Sequence, residues 1–222
     1  MLTDYKDCSL IVDVGSAVGT FSSLFAKCAP NATILSFEPN PYSFKYQARQ
    51  LHLNGLLARV KIYNAGLGDT RHMMTFNYDE GARGSMWGRF DDSLIKRNNA
   101  DIEILKLDDV VSELQIKMID LIKIDIEGYE LPALRGMRCI CERFRPVILC
   151  EMSLTFMVLS SANRYRETID FINDIEYDIF LIKEGRLVPY QWPESRIMNF
   201  ILLPRGAMNG LGGHLRRSLQ SI

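Results

Sequence analysis

Leu10-Ile11-Val12-Asp13-Val14-Gly15-Ser16-Ala17-Val18-Gly19 is the stretch on which the fold turns. Its first half is a short apolar, β-branched run of the kind that forms a buried strand, and Thr20 to Lys27 beyond it reads as a helix. The glycines between them let a ligand approach the backbone and aim free helix N–H groups at a negative group. Two ligands suit such a turn: a pyrophosphate, or the methionine carboxylate of S-adenosylmethionine. The dinucleotide fingerprint is GxGxxG, and here Ala17 and Thr20 stand where its second and third glycines belong, which weighs against a pyrophosphate. Glu38 closes the next strand about 20 residues beyond the turn, where a carboxylate accepts hydrogen bonds from both hydroxyls of a ribose. That placement fits S-adenosylmethionine and NAD alike. Asp13, just before the turn, either orients the loop or meets the ammonium of the methionine moiety.

Outward from this unit, apolar runs alternate with amphipathic stretches, the pattern of a mainly parallel sheet covered by helices. The spacing predicts strands at 10–14, 33–37, 59–64, 119–126, 146–151, 178–183 and 198–203, and helices at 19–28, 41–53, 129–141 and 163–175. Pro30 and Asn31 stop the first helix, and Pro39 and Pro41 bracket a turn at Asn40. A polar, glycine-containing segment at about 69–101 interrupts the alternation; MMTFNY and IEILKL within it read as two short strands of a hairpin-like insertion beside the sheet. One domain over 1–205 is expected, with 206–222 a flexible tail.

The 222 residues carry 26 basic and 27 acidic side chains, so no general field draws the chain to nucleic acid. The five cysteines are odd in number and lack CxxC spacing, which speaks against a disulfide framework or a zinc site and for a reducing cytoplasm. No apolar run reaches the ~18 residues of a membrane span. Asp91, Asp92, Asp108 and Asp109 read as solvated or helix-capping acids, not metal ligands.

IVDVGSAVGTFS, FEPNP at 37–41, NAGLGD at 64–69, LDDV at 107–110, LIKIDIEGYELPALRGM at 121–137 and RPVILCEM at 145–152 follow one another in an order that resembles the FkbM family of S-adenosylmethionine-dependent methyltransferases. The resemblance implies a Rossmann-like class I methyltransferase fold, α/β, with a seven-stranded, mostly parallel sheet. It implies methyl transfer, usually to an oxygen of a small molecule or glycan. It also implies cofactor contacts at Asp13, Gly15, Gly19 and Glu38, with Asn64, Ala65 and Gly66 near the adenine end. Ser16 and Asn40, in the same two turns, join that expected set. Tyr129 departs from the family, standing where a small residue is common.

Ligands of open α/β sheets bind beyond the carboxyl ends of the strands. Asp125 and Glu127 end the strand LIKIDI and are therefore the first candidates for removing a proton from a hydroxyl acceptor, with His72 a third if the insertion folds over the mouth. Glu130 reads as a carboxylate favouring a helix N-terminus, Glu151 as an acid at a neighbouring strand end. Lys123, inside an apolar strand, requires a partner or a neutralised form, and pairing with a carboxylate of the neighbouring strand is the expected arrangement. Residues 79–88, with glycines around Arg83 and Trp87, have the composition of a closing flap. The rivals are a nitrogen or protein acceptor, and a cofactor-binding subunit without turnover.

Overall fold

The computed structural model describes residues 8–78, 88–89, 98–153, 164–183, 186–190 and 197–207. The chain opens as β1 (Leu10–Val14), α1 (Thr20–Cys28), β2 (Thr33–Phe37), α2 (Pro41–Leu53) and β3 (Val60–Tyr63). These strands lie parallel, with Asp13 level with Ser36 on β2. Pro41 at the first turn of α2 fits its fixed φ, and Asn40 caps the helix by accepting from the amides of Tyr42 and Ser43.

The interruption predicted at 69–101 is a second sheet. It comprises β4 (Ala65–Leu67), β5 (His72–Tyr78), β6 (Gly88–Arg89) and β7 (Asn98–Leu105), in the order β4-β7-β5-β6. The chain then returns through α3 (Leu107–Glu113) to β8 (Leu121–Ile124), α4 (Glu130–Arg135), α5 (Arg138–Phe144), β9 (Val147–Ser153), α6 (Arg164–Asp174), β10 (Tyr177–Lys183), β11 (Arg186–Pro189) and β12 (Ile197–Pro204).

The main sheet runs β11-β10-β12-β9-β8-β1-β2-β3. It has eight strands, not seven, and it is mixed: β3, β2, β1, β8 and β9 are parallel, while the pairings of β9 with β12, β12 with β10 and β10 with β11 are antiparallel. The added strand is β11, which pairs antiparallel with β10, Lys183 standing opposite Arg186.

The helix expected over 129–141 is two short helices meeting at Gly136 and Met137. A side chain at Gly136 would collide with the Gly68 carbonyl, so the corner of α4 and α5 is where the second sheet leans on the first by backbone contact. Asp108 secures the corner by accepting from the amides of Cys139 and Ile140, a capping role for one of the acids in the LDDV run.

Alternation along the strands divides the core. Val12, Val14, Leu35, Ile122 and Ile124 face α4 to α6, and Ile11, Ile34 and Leu121 face α1 and α2. Strand order reverses at β1, which sits between β2 and β8, so a crevice opens beyond their carboxyl ends. No helix among the described residues is long and apolar enough to cross a membrane.

Candidate functional site

The bend after β1 is stapled to β2 by main-chain bonds. Gly15 and Ser16 both donate to the Phe37 carbonyl, at 3.0 and 3.1 Å, and Gly19 donates back to Ser16 at 2.8 Å. Gly15 has φ 76°. A β-carbon there would lie inside the van der Waals radius of the Asp125 carbonyl oxygen, so the bend and the end of β8 approach as closely as glycine allows. Gly19, also left-handed at φ 84°, starts α1 with no side-chain cap. The first-turn amides of that helix therefore have no side-chain acceptor.

Glu38 closes the other side. Its Oε2 accepts from the Ala17 amide at 2.7 Å and its Oε1 from the Asn40 amide at 2.8 Å, which draws a carboxylate of the second strand onto the first bend. Burial pushes it up to about 7, against the two amides that favour its charge. A carboxylate has roughly four acceptor positions, so two remain after these bonds, the number a ribose diol requires. Asn64, exposed, donates to the carbonyls of Glu38 and Pro39 at 2.8 and 3.1 Å and fixes the turn that carries Glu38. Ala65 and Gly66 are buried in β4 next to it.

Beneath the bend, the last inward residue on the α1 face of each central strand is polar: Asp13, Ser36 and Lys123, level with one another. Asp13 is fully buried and accepts from the Ser22 hydroxyl of α1 at 2.6 Å. Burial pushes its carboxyl above the usual range, opposed chiefly by the Lys123 ammonium. Its Oδ1 lies 3.7 Å from Lys123 Nζ and has no hydrogen-bond partner. The carboxylate partner expected for Lys123 on the neighbouring strand is thus Asp13, and Lys123 finds a second in Asp125 at 3.3 Å.

Across the crevice, Asp125 and Glu127 are half-buried beyond β8, and Glu127 holds a left-handed φ of 54° ahead of Gly128 at 103°. Glycine takes its angle without strain, so the strain of this turn rests on Glu127 alone. Glu151 lies near the end of β9; burial, then the charge of Asp125, raise its carboxyl above the ordinary range. Glu130 stands in the first turn of α4, where a helix-end carboxylate is expected, but it is fully buried, accepts from the Gly128 amide at 2.9 Å, and is pushed up to about 7 by burial. Nothing in its local sequence signalled this, because the burial comes from tertiary packing. Tyr129, the departure from the family pattern, rests beside Gly68, where an added β-carbon would meet its ring at ordinary contact distance and would crowd Ile104 instead.

His72 stands at the start of β5 opposite Ile104, its Nδ1 3.0 Å from the Thr70 carbonyl. The structure therefore brings Asp13, Gly15, Ser16, Gly19, Glu38, Asn40 and Asn64 together around one bend, and Asp125 and Glu127 beside it, while His72 belongs to the second sheet. The flap reading of 79–88, apart from the backbone of Gly88 in β6, and Asp91 and Asp92 lie outside the described residues. Among those described, no group of His, Cys, Asp and Glu is arranged to hold a metal ion. The open backbone of the bend, the two remaining acceptor positions of Glu38 and the uncapped start of α1 fit a nucleoside bearing an amino-acid carboxylate.

The profile of the methyltransferase FkbM domain matches residues 13–179. Methyltransferase sdnD of Sordaria araneosa is 29% identical over 154 residues, covering 57% of this chain and 60% of that protein. The 2-O-methyltransferase NoeI of Sinorhizobium fredii is 27% identical over 146 residues, covering 57% of this chain and 56% of that protein. The chain thus spans about 60% of the length of two of the curated relatives it matches. Among solved structures, methyltransferase FkbM from Methylobacillus flagellatus superposes with a TM-score of 0.58 at 16% identity, covering 88% of this chain and 44% of that one. A SAM-dependent O-methyltransferase from Thermotoga maritima gives a TM-score of 0.50 at 14% identity, covering 92% and 62%. These two likenesses show the α/β fold.

Proposed function

The chain belongs to the methyltransferase FkbM domain family, and from that premise we propose that it transfers a methyl group from S-adenosylmethionine to a hydroxyl oxygen of a small metabolite or sugar. The observation that carries this reading is the closure of Glu38 onto the Gly15–Gly19 bend, which sets a ribose-binding carboxylate beside a backbone open to a carboxylate. Oxygen as acceptor atom is supported by the name of one relative, a 2-O-methyltransferase.

When bound, the sulfonium supplies an electrophilic methyl carbon and a neutral thioether leaving group. Gly15, Ser16 and Gly19 keep the backbone clear for it, and the α1 amides receive its carboxylate. Asp13 is too deeply buried to be its main contact and acts from beneath, through Ser22. Glu38 takes the ribose hydroxyls, Asn40 and Asn64 hold the turn that carries it, and Ala65 and Gly66 flank the adenine. On the acceptor side Asp125 or Glu127 accepts the hydroxyl proton, His72 being the remaining candidate. Alignment of the two reactants supplies much of the acceleration, on the order of 7–11 kcal/mol in favourable intramolecular systems. Cys28, Cys139, Cys141 and Cys150 carry free thiols, which suits a reducing cytoplasm.

Calorimetric titration with S-adenosylmethionine and with NAD tests the cofactor: saturable binding of the first and none of the second is expected, and the reverse overturns the reading. Incubation with S-adenosylmethionine carrying a labelled methyl group and a panel of sugars and hydroxylated metabolites tests the acceptor. Label on oxygen supports the proposal; label on nitrogen, or on a protein side chain, replaces its second half.

A further inference from the structure

Lys123 has more work than the neutralisation of one carboxylate. Its ammonium donates to the Gly15 carbonyl at 3.1 Å, lies 3.3 Å from Asp125 Oδ2 and 3.7 Å from Asp13 Oδ1, and sits 5.1 Å from the centre of the Phe21 ring. These four neighbours belong to the bend, the end of β8, the end of β1 and the first turn of α1. The ammonium itself is almost entirely buried. Among the described residues the ammonium donates a hydrogen bond to the Gly15 carbonyl, while the carboxylates of Asp125 and Asp13 are its ion-pair neighbours. The Gly15 carbonyl has a left-handed φ behind it and no second donor among the described residues, and without Lys123 it would be free to turn toward the cleft, where a ligand carboxylate would meet it unfavourably.

We propose that Lys123 is a positioning residue of the methyl-transfer site: one ammonium fixes the Gly15 carbonyl and the Asp125 carboxylate together, so that the cofactor bend and the acceptor-side strand end are held as one unit. The inference rests on the reading of the bend as the cofactor seat. Nothing in it requires Lys123 to touch cofactor or acceptor. The competing explanation is that Lys123 only neutralises Asp13, whose burial would otherwise be costly.

A double-mutant cycle separates the two. The affinity of S-adenosylhomocysteine is measured by calorimetry for the wild type, Lys123→Met, Asp13→Asn and the double variant. Asp13→Asn removes the buried charge, so the double variant stays folded even if Lys123→Met alone does not. Positioning predicts that Lys123→Met weakens binding by about tenfold in the Asp13→Asn background, the scale of one lost charge-assisted hydrogen bond. Neutralisation alone predicts no loss there, and that result overturns the proposal. Hydrogen exchange on the complexes checks the linkage: in the double variant against Asp13→Asn, amides at both 15–19 and 125–128 are expected to exchange faster, and acceleration at only one of the two segments overturns it. A wild type that binds no S-adenosylhomocysteine overturns the cofactor reading itself, and this inference with it.

Discussion

The two walls of the crevice are built differently. On the β1–β2 side, Asp13, Ser16, Glu38 and Asn40 are buried, and their partners are mostly backbone groups of the same wall. On the β8–β9 side, Asp125, Glu127 and Glu151 are half-exposed, and Asp125 is ion-paired with Lys123. In the proposed reaction the first wall recognises through main-chain geometry, which admits little variation. The second works through side chains, which can change without disturbing the fold. A donor common to a whole family suits the first and an acceptor that differs between members suits the second.

The largest expected effect comes from Gly15→Ala. It adds a methyl group where the Asp125 carbonyl already sits, at a backbone angle that disfavours side chains, and the combined cost is roughly 4 kcal/mol or more. Thermal unfolding and titration with S-adenosylhomocysteine are expected to show a strongly lowered midpoint and no binding. A variant that binds normally would mean that the first wall is not held by backbone fit.

Asp125→Asn probes the second wall and reverses the pattern. Turnover of a hydroxylated acceptor is expected to fall by about a hundredfold, the lower end for loss of a general base, with the affinity for S-adenosylhomocysteine nearly kept. Loss of affinity alone would place Asp125 on the donor side.

Glu38→Gln is expected to weaken S-adenosylhomocysteine binding about thirtyfold, through loss of charge-assisted bonds to a diol. The pH dependence has a definite sign. Glu38 is raised to about 7, so its charged, doubly accepting form is lost as pH falls through that value, and wild-type affinity declines from pH 8 to pH 6. The variant should lack that decline.

Glu130 makes a prediction about stability. Its folded value is raised from 4.5 to about 7, so the protonated form is favoured by folding. The contribution is fully present below 4.5 and is lost as pH rises through about 7. Glu130→Gln keeps an acceptor for the Gly128 amide without the buried charge. It is expected to stabilise the fold by roughly 1–2 kcal/mol at pH 8, discounted from about 1.4 kcal/mol per pH unit, and to be neutral near pH 4. Chemical denaturation at the two pH values decides it.

The same contrast explains how much was legible in the sequence. The first wall is written locally: strands 10–14 and 33–37 and helix 41–53 were expected with the bounds found, because turn glycines, proline and alternation act within a few residues. So was the need of Lys123 for a partner. What escaped depends on distant packing. The break at Gly136 exists because Gly68, far away in sequence, presses on it. The burial of Glu130 reflects what packs over α4. Strand β11 has four mostly exposed residues and so little apolar alternation to read, and α3 lies in a run whose acids read equally as solvated or helix-capping.

His72 gives the smallest expected effect and the sharpest test of where the second wall ends. Its ring is half-exposed, its Nδ1 is engaged by Thr70, and β5 belongs to the sheet that leans on α4 and α5. A surface histidine of this kind contributes within about 0.5 kcal/mol. His72→Ala is therefore expected to leave both turnover and its pH profile unchanged within about twofold, because carboxylates at the ends of β8 and β9 suffice to take the proton. If turnover instead fell a hundredfold while Asp125→Asn proved mild, the base would sit on the second sheet. The acceptor would then be held between two sheets, and the division between donor and acceptor walls would run along the insertion, not across the crevice.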